Sequence, residues 1–568
     1  MSEVGWHRLL LITDALPTRA RIWGDGGWHM PEEREALDWL TLARLLGWQV
    51  SVARPGRLTG LKTAQWIVVA CDGARLSVDD VARLERRLAA APGLLIARAV
   101  PQGSPLEQLV GRAGKPVETR TRALAWPRAD GTLGRALLKK PLPLAALSST
   151  ATIWARIGNV PLAILRPCGR GQVATLAVHP SVLRDASTAG TALLTDLLVS
   201  TAGRPVVWLD WQGAVALRMD DPGAAQNVWL ASWAYPKLHA PAWRKIGAIL
   251  ARHQARLSIA YVSGWVDDGD AARGTLRVGS KPVERLPGGV YPSPEVVYRD
   301  RNGHLPGTRH DGSSEFRGMQ ELRRRGLAEV ELHGHTHMHP DSEAWAAAAD
   351  RYTNVAWFRE VGRNALPVLA ARGARGHPLT VGRRAIERQF KTRPLTLVSP
   401  GDEFTDEAIE RALDLDIELV SSYYTALRHD GRFAWSTHLC APYLDEPDAG
   451  WFAGNLPVVG YFHDRDLAVH GIDWLERNLS AWRAAGATRF IDFRELAAAL
   501  GLGLGVQATD RSLAIIVRDG ESPLPRPVRM RLFDPQGRAP GISGPKDRIA
   551  VQTRDGKAAT LLLRPASA

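Results

Sequence analysis

Apolar residues in this chain fall into two alternating patterns. Short unbroken runs read as strands buried on both faces, and stretches with an apolar residue every three or four positions read as amphipathic helices. Leu9-Leu10-Leu11-Ile12, Trp66-Ile67-Val68-Val69-Ala70 and Gly93-Leu94-Leu95-Ile96 are of the first kind. Trp39, Leu42, Ala43 and Leu46 keep helical spacing between the first two runs. Ser77 with Asp80 three residues later predicts a capped helix start ahead of Val81, Leu84 and Leu88. Two apolar runs over 159–178 flank Pro167-Cys168-Gly169-Arg170-Gly171, the pattern of a hairpin. Residues 1–205 are therefore expected to form an open α/β domain.

The alternation then restarts. Ala214–Met219, Leu257–Val262, Glu329–His333, Pro394–Val398, Ile417–Val420, Pro457–Phe462 and Arg489–Asp492 are candidate strands, with amphipathic helices between them. Seven strand–helix units over 206–500 predict a distorted (β/α)7 barrel, with chemistry at the carboxyl ends of its strands. Residues 264–312 form a long Gly-, Pro- and Asp-rich segment, and loops of such length are usually functional or disordered. After Gly501-Leu502-Gly503-Leu504-Gly505 come short β-type runs, Leu513–Val517 and Val528–Leu532, so a small β-sandwich-like domain is expected over 506–568.

Composition narrows the class. The 568 residues are 45% hydrophobic and 23% charged, an ordinary globular balance that excludes fibrous and wholly disordered readings. No run reaches the ~20 apolar residues of a membrane helix, and the start, Met1-Ser2-Glu3-Val4-Gly5-Trp6-His7, lacks a basic-then-apolar leader. A cytoplasmic address is the expectation. The net charge of +13 is spread along the chain, with Arg323-Arg324-Arg325 the longest basic run, so a solvated surface is expected and no nucleic-acid partner. Cys71, Cys168 and Cys440 stand far apart and give neither a disulfide framework nor a thiolate zinc site. Any metal must be held by histidine and carboxylate.

Such residues gather at the expected strand ends. The first barrel strand runs into Arg218-Met219-Asp220-Asp221-Pro222-Gly223, where two adjacent carboxylates require a compensating cation or proton. The third runs into His333-Gly334-His335-Thr336-His337-Met338-His339, four histidines in seven residues. The sixth ends in Phe462-His463-Asp464. One Asp with two His gives a divalent ion three protein ligands and leaves positions for water and substrate. The second Asp is then free as a general base and a histidine across the mouth as an acid, a set suited to metal-assisted hydrolysis of an amide or ester. Trp265, in the long segment, is a candidate for stacking on a sugar ring.

These motifs resemble the polysaccharide deacetylases of the NodB-homology type, of which this chain would be a long, divergent member. The resemblance implies Asp220 as catalytic base and Asp221 as metal ligand. The second motif can be read in two registers: His333 with His337, which resembles the His-Gly-x-Thr-His variant with Glu329 four residues upstream and is preferred because it lies nearer the strand end, or His335 with His339. His463 is implied as the acid that protonates the leaving amine. The family's Arg-x-Pro-aromatic motif is reduced to Val398-Ser399-Pro400-Gly401, so an arginine for the catalytic Asp must come from elsewhere, with Arg218 and Arg393 as candidates. Its Asp-x-Trp motif has no match near Ser421-Ser422-Tyr423-Tyr424. The first domain resembles flavodoxin-like, class I glutamine-amidotransferase folds without their nucleophile elbow, since Cys71 sits in Val69-Ala70-Cys71-Asp72-Gly73. The implied activity is removal of an N-acyl group from an amino sugar or polysaccharide with a divalent metal, zinc being the expected ion. The rival readings are a catalytically inactive carbohydrate- or metal-binding relative, and a glycoside hydrolase pairing Asp220 with Asp402 or Asp466 at ~5–9.5 Å.

Overall fold

The apolar runs of the first 205 residues become neighbours in one sheet. In the computed structural model, which describes residues 5–14, 31–147, 151–362, 376–509, 512–537, 541–545 and 548–566, Arg8–Ile12, Gln49–Ala53, Trp66–Val69, Leu94–Arg98 and Gly171–Leu176 pair in parallel. Met1–Val4 of the amino-terminal reading lie outside the described residues. The Cys168 turn is the expected hairpin, joining Val160–Cys168 to Gly171–Leu176, and antiparallel strands extend the sheet beyond it. Helix Val78–Ala90 starts at the Ser77 capping box, whose side chain accepts the Asp80 amide proton. Cys71 is buried with Ile67, Val69 and Leu84, and burial pushes its thiol up to about 12, in keeping with a packing role.

All seven strands expected over 206–500 are present and pair in parallel: Leu419–Ser421, Thr396–Val398, Ala328–Leu332, Leu257–Tyr261, Ala214–Asp220 and Val458–His463 in that order, with Arg489–Ile491 against the start of Ala214–Asp220. The unit after Leu419–Ser421 departs from the expected strand–helix pattern. It continues as an antiparallel hairpin, Tyr424–His429 and Arg432–Cys440, turning at Asp430-Gly431, both with positive φ (46° and 69°). Asp-Gly is a strong hairpin signal, because two consecutive left-handed residues match the strand twist. The strand ladder is thus an open path rather than a closed ring of seven units. Its two ends are tied where Leu444 donates its amide to the Tyr461 carbonyl and Tyr461 donates to Pro442.

Residues 264–312 fold as small antiparallel sheets rather than an open loop. They bury Trp265, 1% exposed, among Trp229, Val266 and Tyr298, so this indole is a core residue and no sugar platform. The carboxyl-terminal segments are woven into what precedes them: Val206–Leu209 pairs with Val528–Phe533, and Trp6 bridges to Gly505. The fold is mixed α/β throughout. No helix of the described residues is long and apolar enough to cross a membrane.

Candidate metal centre

Strand Ala214–Asp220 is buried along its whole length, and its last residue stands opposite His463 in register. Ala328–Leu332, two strands away, delivers His333 one residue beyond its end. Three strand ends thus open onto one cavity of about 280 Å³. Asp221 is turned into it by a left-handed backbone (φ 80°), and His337 (φ 59°) and Asp402 (φ 57°) line the same cavity in the same sparsely populated region. Such conformations cost about 1–3 kcal/mol each and persist where surrounding structure imposes them, often at functional sites.

Asp221 Oδ1 lies 3.3 Å from His333 Nε2 and 3.5 Å from His337 Nε2. One ligand atom from each of the three residues falls within 4.8 Å of the others, and all three side chains are buried. His333 Nδ1 sits 2.9 Å from the Val398 carbonyl, so that nitrogen donates there and Nε2 is the nitrogen turned to Asp221. Trp233 Nε1 donates to Asp221 Oδ2 at 3.0 Å, leaving Oδ1 toward the imidazoles. This donor set fits a divalent cation: two buried imidazole nitrogens, that of His333 oriented by the Val398 carbonyl, and one carboxylate oxygen, all lining the cavity.

The charges agree. Burial pushes the Asp221 carboxyl up, but the His333 hydrogen bond and the neighbouring imidazoles, His463 among them, outweigh it and hold the group well below the usual carboxylate range. Burial lowers His337 to about 4 despite the pull of Asp221, so its imidazole is neutral and able to ligate at neutral pH. His333 is also pulled down by burial, and the Asp221 hydrogen bond with the Asp220 and Asp221 charges turns the net shift upward.

His335 and His339 are not part of this convergence. His335 Nδ1 meets Ser263 Oγ at 2.9 Å, while His339 Nδ1 accepts the Asp341 amide proton at 3.1 Å and its ring packs on Trp357. Glu329 lies at the far end of its strand, facing Arg256, Arg323 and Arg494.

Asp220 has the arginine that the sequence motif lacked. Arg218, buried two residues earlier on the same face of the strand, grips both Asp220 oxygens, with Nε at 2.9 Å from Oδ1. Its remaining donors reach the Ser422 carbonyl at 2.9 Å and Asp402 Oδ1 at 3.2 Å. Although burial lowers its pKa, the Asp220 and Asp402 carboxylates raise it further, so the guanidinium stays charged. Arg393 is elsewhere, paired with Asp416. Asp466 is committed to the His463 amide at 2.8 Å and to the Tyr443 hydroxyl. His463 Nδ1 lies 3.1 Å from Tyr443 Oη, and its ring meets Trp233 edge-on. Burial pulls His463 down, but Asp466, Asp221 and Asp220 together raise it to about 9, keeping a proton on the ring.

One group escaped sequence reasoning. Glu360 is buried under the His333–His339 turn: its Oε2 accepts the amides of His335 (2.7 Å) and His337 (3.2 Å), and its Oε1 accepts the Thr336 amide (2.9 Å) and hydroxyl (2.8 Å). Gly334 (φ 68°) passes so close that a Cβ there would lie 2.0 Å from Glu360 Oε2. No local signal marks Glu360, which is 23 residues from His337 along the chain.

No protein-family profile matches the chain, and no curated protein does. Among solved structures, an exo-β-1,4-mannosidase from an Opitutaceae bacterium is similar at 14% identity over 34% of this chain and 36% of its own, with TM-score 0.23. A β-galactosidase from Rahnella is similar at 15% over 36% and 35%, TM-score 0.25. A CE4-family pseudoenzyme mutant with restored enzymatic activity is similar at 10% over 51% and 68%, TM-score 0.23. The chain spans about a third of the length of the two glycosidases it resembles.

Proposed function

We propose that the chain is a divalent-metal-dependent hydrolase of the NodB polysaccharide-deacetylase type, removing an N-acyl group from an amino sugar. In this reading the strands over 206–500 are the distorted catalytic barrel and the first domain is a non-catalytic, amidotransferase-like support. The observation that carries it is the convergence of Asp221 Oδ1 with the two imidazole Nε2 atoms of His333 and His337. Asp221, His333 and His337 hold the ion, zinc being the proposed one. When bound, it supplies Lewis-acid polarisation of the acyl carbonyl and acidification of the attacking water.

The chain's own residues supply the proton transfers. Asp220, oriented by Arg218, takes the proton of the attacking water. His463, protonated at neutral pH and held by Tyr443 and Asp466, gives its proton to the departing nitrogen. Trp233 closes the space between Asp221 and His463. Leu230, Val355 and Phe358 add apolar wall, which limits water around the acyl group.

Asp220→Asn tests the assignment. General-base catalysis contributes about 10²–10⁴-fold, so acetate release from chito-oligomers and from nucleotide- or lipid-linked N-acyl sugars should fall by at least about 100-fold while about one ion per chain remains bound. Turnover that survives this substitution refutes the role of Asp220. Glycosidic cleavage that chelators leave untouched would instead establish a glycoside hydrolase.

A further inference from the structure

A second cavity, of about 410 Å³, lies away from the metal centre at the seam between the first domain and the barrel. The first domain contributes Arg34, Lys139 and Arg184, and the barrel contributes Tyr424, Trp451 and the start of strand Val458–His463. Among the described residues that line it, cations outnumber carboxylates. Arg34 pairs with Asp185 at 2.7 Å, and Arg184 divides itself between Asp38 (3.3 Å) and Asp185 (3.2 Å). Two carboxylates thus face two guanidinium groups. Lys139 adds a third cation that makes no ion pair among the described residues, and Arg184 Nε is buried without a hydrogen-bond partner.

We propose that this seam is a second ligand site, taking a monosaccharide that bears one phosphate or carboxylate. The surplus cation answers a single anionic group, and the size lies within the ~300–1,000 Å³ of small-molecule sites, which favour domain interfaces. Tyr424 and Trp451 supply apolar ring surface of the kind a pyranose covers, and the Thr188 and Thr191 hydroxyls border it. The seam also touches the catalytic elements. Strand Val458–His463 runs from this cavity to His463, and Tyr424 opens the hairpin that follows Ser422, whose carbonyl accepts from Arg218. A ligand here therefore sits against both segments that orient the acid and the base. The site stands on its own residues and does not depend on the proposed deacetylase activity.

Isothermal titration of the full chain with glucose 6-phosphate, glucuronate, glucose and inorganic phosphate tests it. Saturable one-to-one binding of glucose 6-phosphate or glucuronate is expected, weakened about tenfold or more in Lys139→Glu, which puts like charge against the anion, and in Trp451→Ala, yet retained in Asp221→Asn. Absence of saturable binding by either anionic sugar overturns the proposal, as does binding that both seam variants leave intact or that Asp221→Asn abolishes. Glucose binding as tightly as the anionic sugars removes the anion requirement, and inorganic phosphate binding as tightly as glucose 6-phosphate removes the sugar; either result also overturns it.

Discussion

Glu360→Gln isolates the anchor of the turn that carries His333 and His337. The carboxylate accepts three backbone amides and one hydroxyl, two bonds on each oxygen. An amide in the same place offers one acceptor oxygen. The least costly rotamer puts its NH2 at the Oε1 position, where the Thr336 hydroxyl can reverse and accept but the Thr336 amide is left donor against donor. One charge-assisted bond of about 1.5–3 kcal/mol is lost, and the two at Oε2 weaken by about 1 kcal/mol each as the charge disappears. Burial raises the Glu360 carboxyl, and a neutral amide escapes part of that burial cost. The net penalty on this turn is then about 2–4 kcal/mol. Because the turn carries His337, and because losing an outer hydrogen-bonding partner typically weakens metal affinity by about 10–100-fold, zinc affinity should drop within that range. A competition titration against a chromophoric chelator at neutral pH reads it, with circular dichroism checking that the fold survives. Zinc affinity within about threefold of the parent would refute the reasoning.

Gly334→Ala should be as damaging, since the new methyl collides with Glu360 Oε2 and the residue must keep φ 68°. Metal content after dialysis should fall well below one ion per chain, and parent-like content would contradict the close approach. Trp265→Ala removes a fully buried indole and should cost about 3–5 kcal/mol in urea unfolding without changing metal content. An unchanged midpoint would mean that this ring is not core. In chelator-treated protein the His463 ring should titrate at about 9 by NMR, against an ordinary 6.5. Its folded-state pKa is raised, so its stabilising contribution is complete below about pH 6.5 and lost as pH climbs through about 9. Asp466→Asn should lower that midpoint, and an unmoved titration would remove Asp466 from the set that holds the proton.

Much of this site was legible along the chain because its signals are local. Strands buried on both faces read as unbroken apolar runs, so all seven parallel strands over 206–500 could be placed. Arg218 was one of two arginines to weigh, and the two-residue period of a strand is what puts it beside Asp220. Ser77 and Asp80 announced their helix through the two hydrogen bonds of a capping box. The hairpin at Asp430-Gly431 carried its own turn signal, and counting strand–helix units passed over it.

What spacing left open was settled by contacts between residues distant in sequence. Histidines at 333, 335, 337 and 339 offer two equivalent pairs on paper. The backbone does not continue as a helix or strand here: left-handed turns at Gly334 and His337, pinned by Glu360, aim one pair at Asp221 and send His335 toward Ser263 and His339 toward Trp357. Arg218 and Arg393 were likewise indistinguishable until folding buried one against Asp220 and left the other on Asp416. The sequence by itself determined which residue types stand at which strand ends, because periodicity is a property of neighbours. Which of them converge on Asp221, and which tryptophan is core, only the tertiary structure decided, because those outcomes depend on groups brought together across about 20 to 200 residues of chain.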